Sequence, residues 1–355
     1  VQDSEHILKG ERVIYYEKSG RAVATGDVSL WQFSNDARIT SQKGEYDWQK
    51  KYGLFTHSPK LQLGAASPDS VLTVTARKLE FYSQEEIGIA TDSVYITKGN
   101  LSATCSKATW YNKDSLIVLV GFPQARQNQD ELSGDSISLY LKNKKLDRIQ
   151  VYGRAKASQK FTDSTTSRTN ESFLTSQKLT FQLQDDEVRK IIAIDQATSL
   201  YIPSAGDSVD ITKNQVSGDT IYMDLDSGRV TRVLVKGGAQ GQYLFIPEDR
   251  KQDSLPAEDT VTYRARDIDY QVENKIIGMK GSSYLQMGEM NLTSGKIEYN
   301  LNNKILIAEG VTDSESADSS LKDTPVLYDG EEQITGQRMV YNLSTREGKI
   351  LTGKT

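Results

Sequence analysis

The stretch "LSGDSISLYLKNKKLDRIQVYGRAKA" occupies Leu132–Ala157, and 84 residues further on, from Val216 to Gln240, the chain reads "VSGDTIYMDLDSGRVTRVLVKGGAQ". Aligned over 25 positions the two share nine identities, among them Ser133/Ser217, Gly134/Gly218, Asp135/Asp219, Ile137/Ile221, Arg148/Arg232 and Gly153/Gly237. Halfway between them, at an offset of 42, "LTSQKLTFQLQDDEVRKIIAIDQAT" (Leu174–Thr198) sets Leu179, Phe181 and Leu183 where Ile137, Leu139 and Leu141 stand. The same cadence begins upstream at Gly10, Gly44, Ala76 and Ser106, and downstream at Ala265, Gly295 and Gly336, giving about ten units. Repetition on this scale points to a stacked array, in which no unit buries its apolar face alone.

Within a unit the hydrophobic period is two. Ile137, Leu139 and Leu141 alternate with Ser138 and Tyr140, and Ile297, Tyr299 and Leu301 alternate with Glu298 and Asn300, the pattern of strands with one buried face. Short polar links such as "EKSG", "SQEE", "KNKK" and "ENK" follow each first strand and predict hairpins. A second strand runs to a closing Gly or Asp: Gly26, Asp92, Gly121, Gly153, Asp195, Gly237, Gly281, Gly310 and Gly353. These residues tolerate the positive φ of a sharp corner. A third strand, such as "SSYLQMGEMNLTS", leads to the next unit. No segment has a helical period, and the expected fold class is all-β.

Stacking the units produces two ladders. The middle of each first strand gives Tyr15, Trp48, Phe81, Tyr111, Leu139, Phe181, Met223, Tyr270, Tyr299 and Tyr341. The position two before each closing residue gives Ala24, Ala90, Leu119, Val151, Ala193, Val235, Met279, Ala308 and Leu351. Both ladders are expected to face one interior, with small alanines in one wall opposite aromatic residues in the other. That interior is either a filled core or a slot for apolar ligands, and periodicity alone leaves both open. Ser138, by alternation, is expected to point outward.

Composition narrows the function classes. Apolar residues at 37% and charged residues at 26% suit a folded, water-facing protein. A formal charge of −5 argues against nucleic acid as a partner. No apolar run approaches the roughly 20 residues of a membrane helix, and the strands are too short for an outer-membrane barrel. The single Cys105 excludes an internal disulfide framework and reads as a buried structural thiol. His6 and His57 lie outside the ladders, so neither a metal site nor a catalytic triad is expected. The "GDS" triplets at Gly134 and Gly206 lack a partner base, and the acids of "QDDE" (184–187) fall in a turn. Arg148, Lys190 and Arg232, spaced by 42, are placed on the solvent side. No cofactor and no catalysis are expected, which leaves a lipid carrier or a structural, adhesive β-array with a filled core.

The first unit, "GERVIYYEKSGRAVATGDVSL" (Gly10–Leu30), resembles the OstA-like, organic-solvent-tolerance family in its Val13, Tyr15 or Tyr16, Ala24, Gly26 and Val28. "ARKLEFYSQEEIGIATDSV" and "GKIEYNLNNKILIAEGV" fit the same cadence. The resemblance implies an elongated, twisted β-jellyroll of the LptA and LptC type, with an open groove between two sheets. It also implies a periplasmic bridge protein, exported with its signal peptide removed, that shields the lipid A acyl chains of lipopolysaccharide on the way to the outer membrane. Partners would be lipopolysaccharide and other jellyroll proteins, or a second copy, through edge-strand pairing. The chain opens and closes partway through a unit, so unpaired edges are expected at both ends. Residues 1–355 are read as one continuous array, or as two fused LptA-like halves of about 1–158 and 159–355. Polar stretches at 159–173, 247–260 and 312–325 are read as loops inserted into units.

Overall fold

A computed structural model of the chain describes residues 1–2, 6–32, 37–64, 71–143, 145–162, 169–185, 187–202, 211–245, 259–312, 321–345 and 347–351. Among these residues the only helical element is a single 3-10 turn, Glu17–Ser19, and strands account for most of the rest. The chain is therefore all-β. It divides into two compact units, Val1–Ala157 and Ser158–Thr355. Of the inserted loops read at 159–173, 247–260 and 312–325, residues 163–168, 247–258 and 313–320 lie outside the described residues. The stretches Gln159–Thr162, Thr169–Phe173 and Asp259–Thr260 are strand and not loop.

All the strands pair in antiparallel fashion, and the long ones bend. In the first unit Arg21–Gln32 pairs with Ala37–Asp47 along its whole length, but the register shifts between Thr25 and Val28. At that point Gly26 (φ 72°) and Asp27 (φ 41°) are both left-handed. The same two-residue corner recurs at Asp92–Ser93, Gly121–Phe122, Gly153–Arg154, Asp195–Gln196, Gly237–Gly238 and Gly281–Ser282. Each corner splits its strand into a hairpin limb, which ends at the polar turn, and a return limb beyond. His57–Ser58, with φ of 61° and 60°, makes the corner of the second unit of the repeat, whose phase the sequence hides because neither residue is Gly or Asp. Gly310 departs from expectation: it is not left-handed, because the strand Ile305–Glu309 simply ends there. Gly353 lies outside the described residues.

The repeated "SGD" is this corner seen from the neighbouring strand. Asp135 donates its backbone N–H to the carbonyls of Tyr152 and Gly153. A Cβ on Gly153 would overlap the Asp135 carboxylate, and a Cβ on Gly134 would overlap Val151. Gly237 stands in the same relation to Asp219, and Gly218 to Val235. Four of the identities between the two stretches thus belong to one packing arrangement, and Arg154 closes the first with a hydrogen bond to Asp135 at 2.6 Å.

In each unit the two limbs lie face to face. In the first, the ring of His6 on the return limb packs 5.1 Å from that of Tyr46 on the hairpin limb. In the second, the Tyr243 hydroxyl on the return limb hydrogen-bonds to Tyr299 on the hairpin limb. Two antiparallel layers joined by corners, with apolar faces turned inward, make each unit a β-jellyroll.

Candidate functional site

The interior is built from cross-strand rows, since residues directly opposite each other on paired strands share a face. Beside the corners one row crosses the hairpin limb of the first unit through Ala24, Phe55, Leu79, Ala90, Ala108, Leu119, Ile137 and Val151. In the second unit it runs through Leu179, Ala193, Ile221, Val235, Ile268, Met279, Ile297, Ala308 and Met339. Ala24, Ala90, Leu119, Val151, Ala193, Val235, Met279 and Ala308 all sit here, none more than 2% exposed. Leu351 does not. Its neighbour Ile350 pairs with Met339, while Leu351 pairs with Arg338 on the outer face and is 54% exposed.

One step farther from the corner lies a second row of the same limb. It holds Phe81, Leu139, Met223, Tyr270 and Tyr341, half-buried, and Phe181 and Tyr299, buried. Two expected members are displaced. Tyr46, not Trp48, occupies the row, and Trp48 lies just past the strand end with its ring 4.7 Å from that of Tyr46. Trp110, not Tyr111, occupies it on Leu101–Tyr111, pairing with Gly88 and Ile117. Alternation then puts Tyr111 on the opposite face. Tyr15 is in register, opposite Ala22, but 49% exposed, because among the described residues Arg12–Tyr16 has a neighbour on one side only. Its ring packs edge-on against Trp48 at 6.1 Å. Ser138, expected outward, is buried at 8% between Val118 and Gln150; it does lie on the outer face, but larger neighbours cover so short a side chain.

The two ladders are therefore adjacent rows of one wall, not two facing walls. The opposite wall is the return limb, whose inner row sequence reading did not isolate. In the first unit it runs Leu8, Leu30, Ile39, Leu61, Val74, Ile96 and Ala103. In the second it includes Leu174, Val216, Tyr263, Leu285, Leu292 and Leu327, buried throughout. The signal was the alternation inside each third strand, which only the corner converts into a second wall.

Burial is graded across the hairpin limb. Beyond the second row come the pairs Leu141/Leu146, Leu183/Val188 and Leu225/Val230, all half-buried apolar residues beside the turns. The interior is thus closed at the corner and progressively open toward the hairpin turns. Near the end of the second unit a cavity of about 230 Å³ separates the limbs, lined by Leu292, Leu306, Leu327, Met339, Tyr341 and Ile350, with Asp329, Glu332 and Lys349 also bordering it. Such a surface suits apolar chains and offers few groups for bond-making chemistry.

Polar groups inside are sparse, and the buried Ser283 hydroxyl has no hydrogen-bond partner among the described residues. The Tyr263 hydroxyl donates to Asn214 Oδ1 at 2.8 Å, and burial raises the pKa of Tyr243 and of Tyr263. Cys105 is buried on the return limb, and desolvation pushes its thiol up to about 11, which disfavours the thiolate. His6 is buried on the inner face of the return limb, outside both ladders, and His57 is exposed at its corner. Gly134 of the first "GDS" triplet serves the corner packing, and Gly206 lies outside the described residues. Among the described residues no three His, Cys, Asp or Glu side chains gather as a metal site. Lys190 pairs with Asp224 at 3.3 Å, Arg232 grips Asp269 at 2.6 and 2.8 Å, and the Arg148 guanidinium stacks 4.2 Å from the Tyr140 ring. These outer-face contacts contribute at most about 1 kcal/mol each.

Corner-split strands, two facing limbs and an apolar interior whose burial falls toward the hairpin turns define a β-jellyroll. Residues 8–145 match the family described as LptA/(LptD N-terminal domain) LPS transport protein, so the chain carries an LptA-like segment through most of its first unit. Among solved structures, LptH, the LptA homologous periplasmic component of the conserved lipopolysaccharide transport device from Pseudomonas aeruginosa, aligns at 11% identity and a TM-score of 0.29. That alignment covers 33% of this chain and 82% of LptH. No curated protein matches the chain. No helix among the described residues is long and apolar enough to cross a membrane.

Proposed function

We propose that this chain is a non-catalytic lipopolysaccharide-binding transport protein of the periplasm, holding lipid A acyl chains between the limbs of its jellyrolls. The observation that carries the reading is the burial gradient: a row sealed at the corner gives way to one in which Phe81, Leu139, Met223 and Tyr270 are partly exposed, while Tyr46, Phe181 and Tyr299 stay buried. A filled core has no need of an apolar rim that water reaches, whereas an acyl chain laid along the rim would cover it, at about 25 cal/mol per Å². The row from Tyr15 to Tyr341, with Tyr46 and Trp110 in place of Trp48 and Tyr111, and the row from Ala24 to Ala308 would then form one wall of the lipid site. The return-limb row would form the other. Each unit would be one LptA-like half, and Arg12–Tyr16 and Glu347–Leu351, each paired on one side only among the described residues, would offer edges to another jellyroll.

A photocrosslinker at Phe81, Met223 and Tyr299, with exposed Gln240 as control, tests this in the presence of lipopolysaccharide. Adducts at the inward sites alone support the lipid reading. Their absence in folded protein leaves a structural array with a filled core, the reading favoured locally by the Tyr243–Tyr299 bond that ties the limbs together.

A further inference from the structure

The outer face of the return limb in the first unit gathers aromatic, hydroxyl and cationic side chains around one depression. Ile7, Trp31, Arg38 and Gln62 stand side by side on adjacent strands, and Lys9, Ser29, Thr40 and Lys60 form the next row. Thr73, Thr75, Thr97, Tyr95 and Thr104 continue the face across the following strands. Trp31 is 48% exposed and Tyr95 47%. Ile7, Lys9, Ser29, Trp31 and Arg38 enclose a surface depression of about 250 Å³. On the outer face of the hairpin limb some charges are paired, as in Arg21 with Glu45 at 2.6 Å and Lys78 with Glu80 at 2.9 Å. Lys9, Arg38 and Lys60 have no carboxylate within pairing distance among the described residues, on a chain whose formal charge is −5.

We infer that this face binds an anionic saccharide, with Trp31 as its platform and Arg38 and Lys9 as its anion contacts. An exposed indole offers a flat apolar face to the C–H side of a sugar ring and keeps an N–H for a polar partner. The guanidinium fork of Arg38 matches a carboxylate or phosphate in two contacts. The hydroxyls of Ser29 and Thr40 and the amide of Gln62 supply the short polar contacts that sugar hydroxyls need. Three unpaired cations are too few to hold a nucleic acid backbone against salt. The face is also too polar to insert into a membrane, since Ile7 and Trp31 are its only large apolar residues beside the depression. Strand alternation puts it on the far side of the sheet from the interior, so a sugar joined to a chain held between the limbs does not reach it. The ligand is a separate saccharide, and the inference stands apart from the lipid reading.

Calorimetric titration of the full chain with a galacturonic acid trisaccharide, and with the neutral galactose trisaccharide, tests it. Binding of the acidic sugar is expected to weaken at least tenfold in Trp31→Ala and in Arg38→Gln, and the neutral sugar to bind at least tenfold more weakly than the acidic one. Thermal melts matching the parent protein confirm that both variants are folded. Absence of binding by the parent, equal affinity for the two sugars, or unchanged affinity in either variant overturns the assignment.

Discussion

The carboxylate of Asp135 lies over the α-carbon of Gly153, and 84 residues on Asp219 lies over Gly237 in the same way. Both glycines are left-handed, with φ of 67° and 77°, so a side chain there meets backbone strain and a steric overlap together. Gly153→Ala is expected to destabilise the protein by about 1–3 kcal/mol. Adding Asp135→Ala should recover part of that loss by emptying the space above the α-carbon. Urea midpoints of the two single variants and the double variant measure this. Additive losses would mean that backbone strain alone accounts for the glycine.

The burial gradient makes a second expectation quantitative. Ile221 is fully buried, while Met223, two residues along the same strand, is half-buried. Ile221→Ala should cost about 2–5 kcal/mol, as a core truncation does. Met223→Ala should cost clearly less, roughly 1–2 kcal/mol, because water already reaches the side chain. If lipid covers the rim, lipopolysaccharide should raise the melting temperature of the parent more than that of Met223→Ala. Equal losses from the two truncations in urea titrations would mean that the interior is sealed at both rows.

Period-two alternation and the left-handed Gly or Asp of most corners, as at Gly26, Asp92, Gly153 and Gly237, were legible in the sequence, because both are local properties of the backbone. Row membership was legible wherever a unit kept its phase, as from Leu139 to Tyr341. It slipped at Trp48 and Tyr111, where the strand ends one residue before Trp48 and where Tyr111 trails the inward Trp110. The wall to which a row belongs was not legible. Ala193 and Phe181 sit on neighbouring strands of one sheet, but a sequence ladder gives only the alternation and not the side of the corner on which a row falls. The corner at His57–Ser58 was hidden for a different reason. Non-glycine residues enter the left-handed region when surrounding pairing enforces it, and composition leaves no mark of that.

Cys105 links burial to alkaline stability. Desolvation raises its thiol from 9.0 to about 11 in the folded chain. Between those values the unfolded chain gives up a proton that the folded chain keeps, so raising pH favours unfolding. The contribution is complete below pH 9 and is lost as pH passes 11. Tyr243, Tyr263 and Tyr270, also raised by burial, push the same way above their ordinary value. Urea midpoints are therefore expected to fall steeply above about pH 9. Cys105→Ala should flatten the first part of that fall, and native Cys105 should resist iodoacetamide at pH 8. Rapid alkylation of the folded protein would place the thiol in solvent.

The Tyr243–Tyr299 hydrogen bond joins the two limbs of the second unit across its interior, with each residue 5% exposed. Tyr299→Phe removes one partner and leaves the buried Tyr243 hydroxyl with fewer contacts, a loss of about 1–3 kcal/mol. Tyr243→Phe should behave alike, and the double variant should cost less than the sum of the two, since no hydroxyl is then left behind. The same bond would fix the spacing of the limbs where a chain has to pass, so either variant should increase lipopolysaccharide adducts at a crosslinker placed on Met223. A double-mutant cycle in urea gives the coupling, and adduct yield gives the passage. Strict additivity would mean that the two hydroxyls do not interact, and an unchanged yield would mean that the limbs are held apart by packing alone.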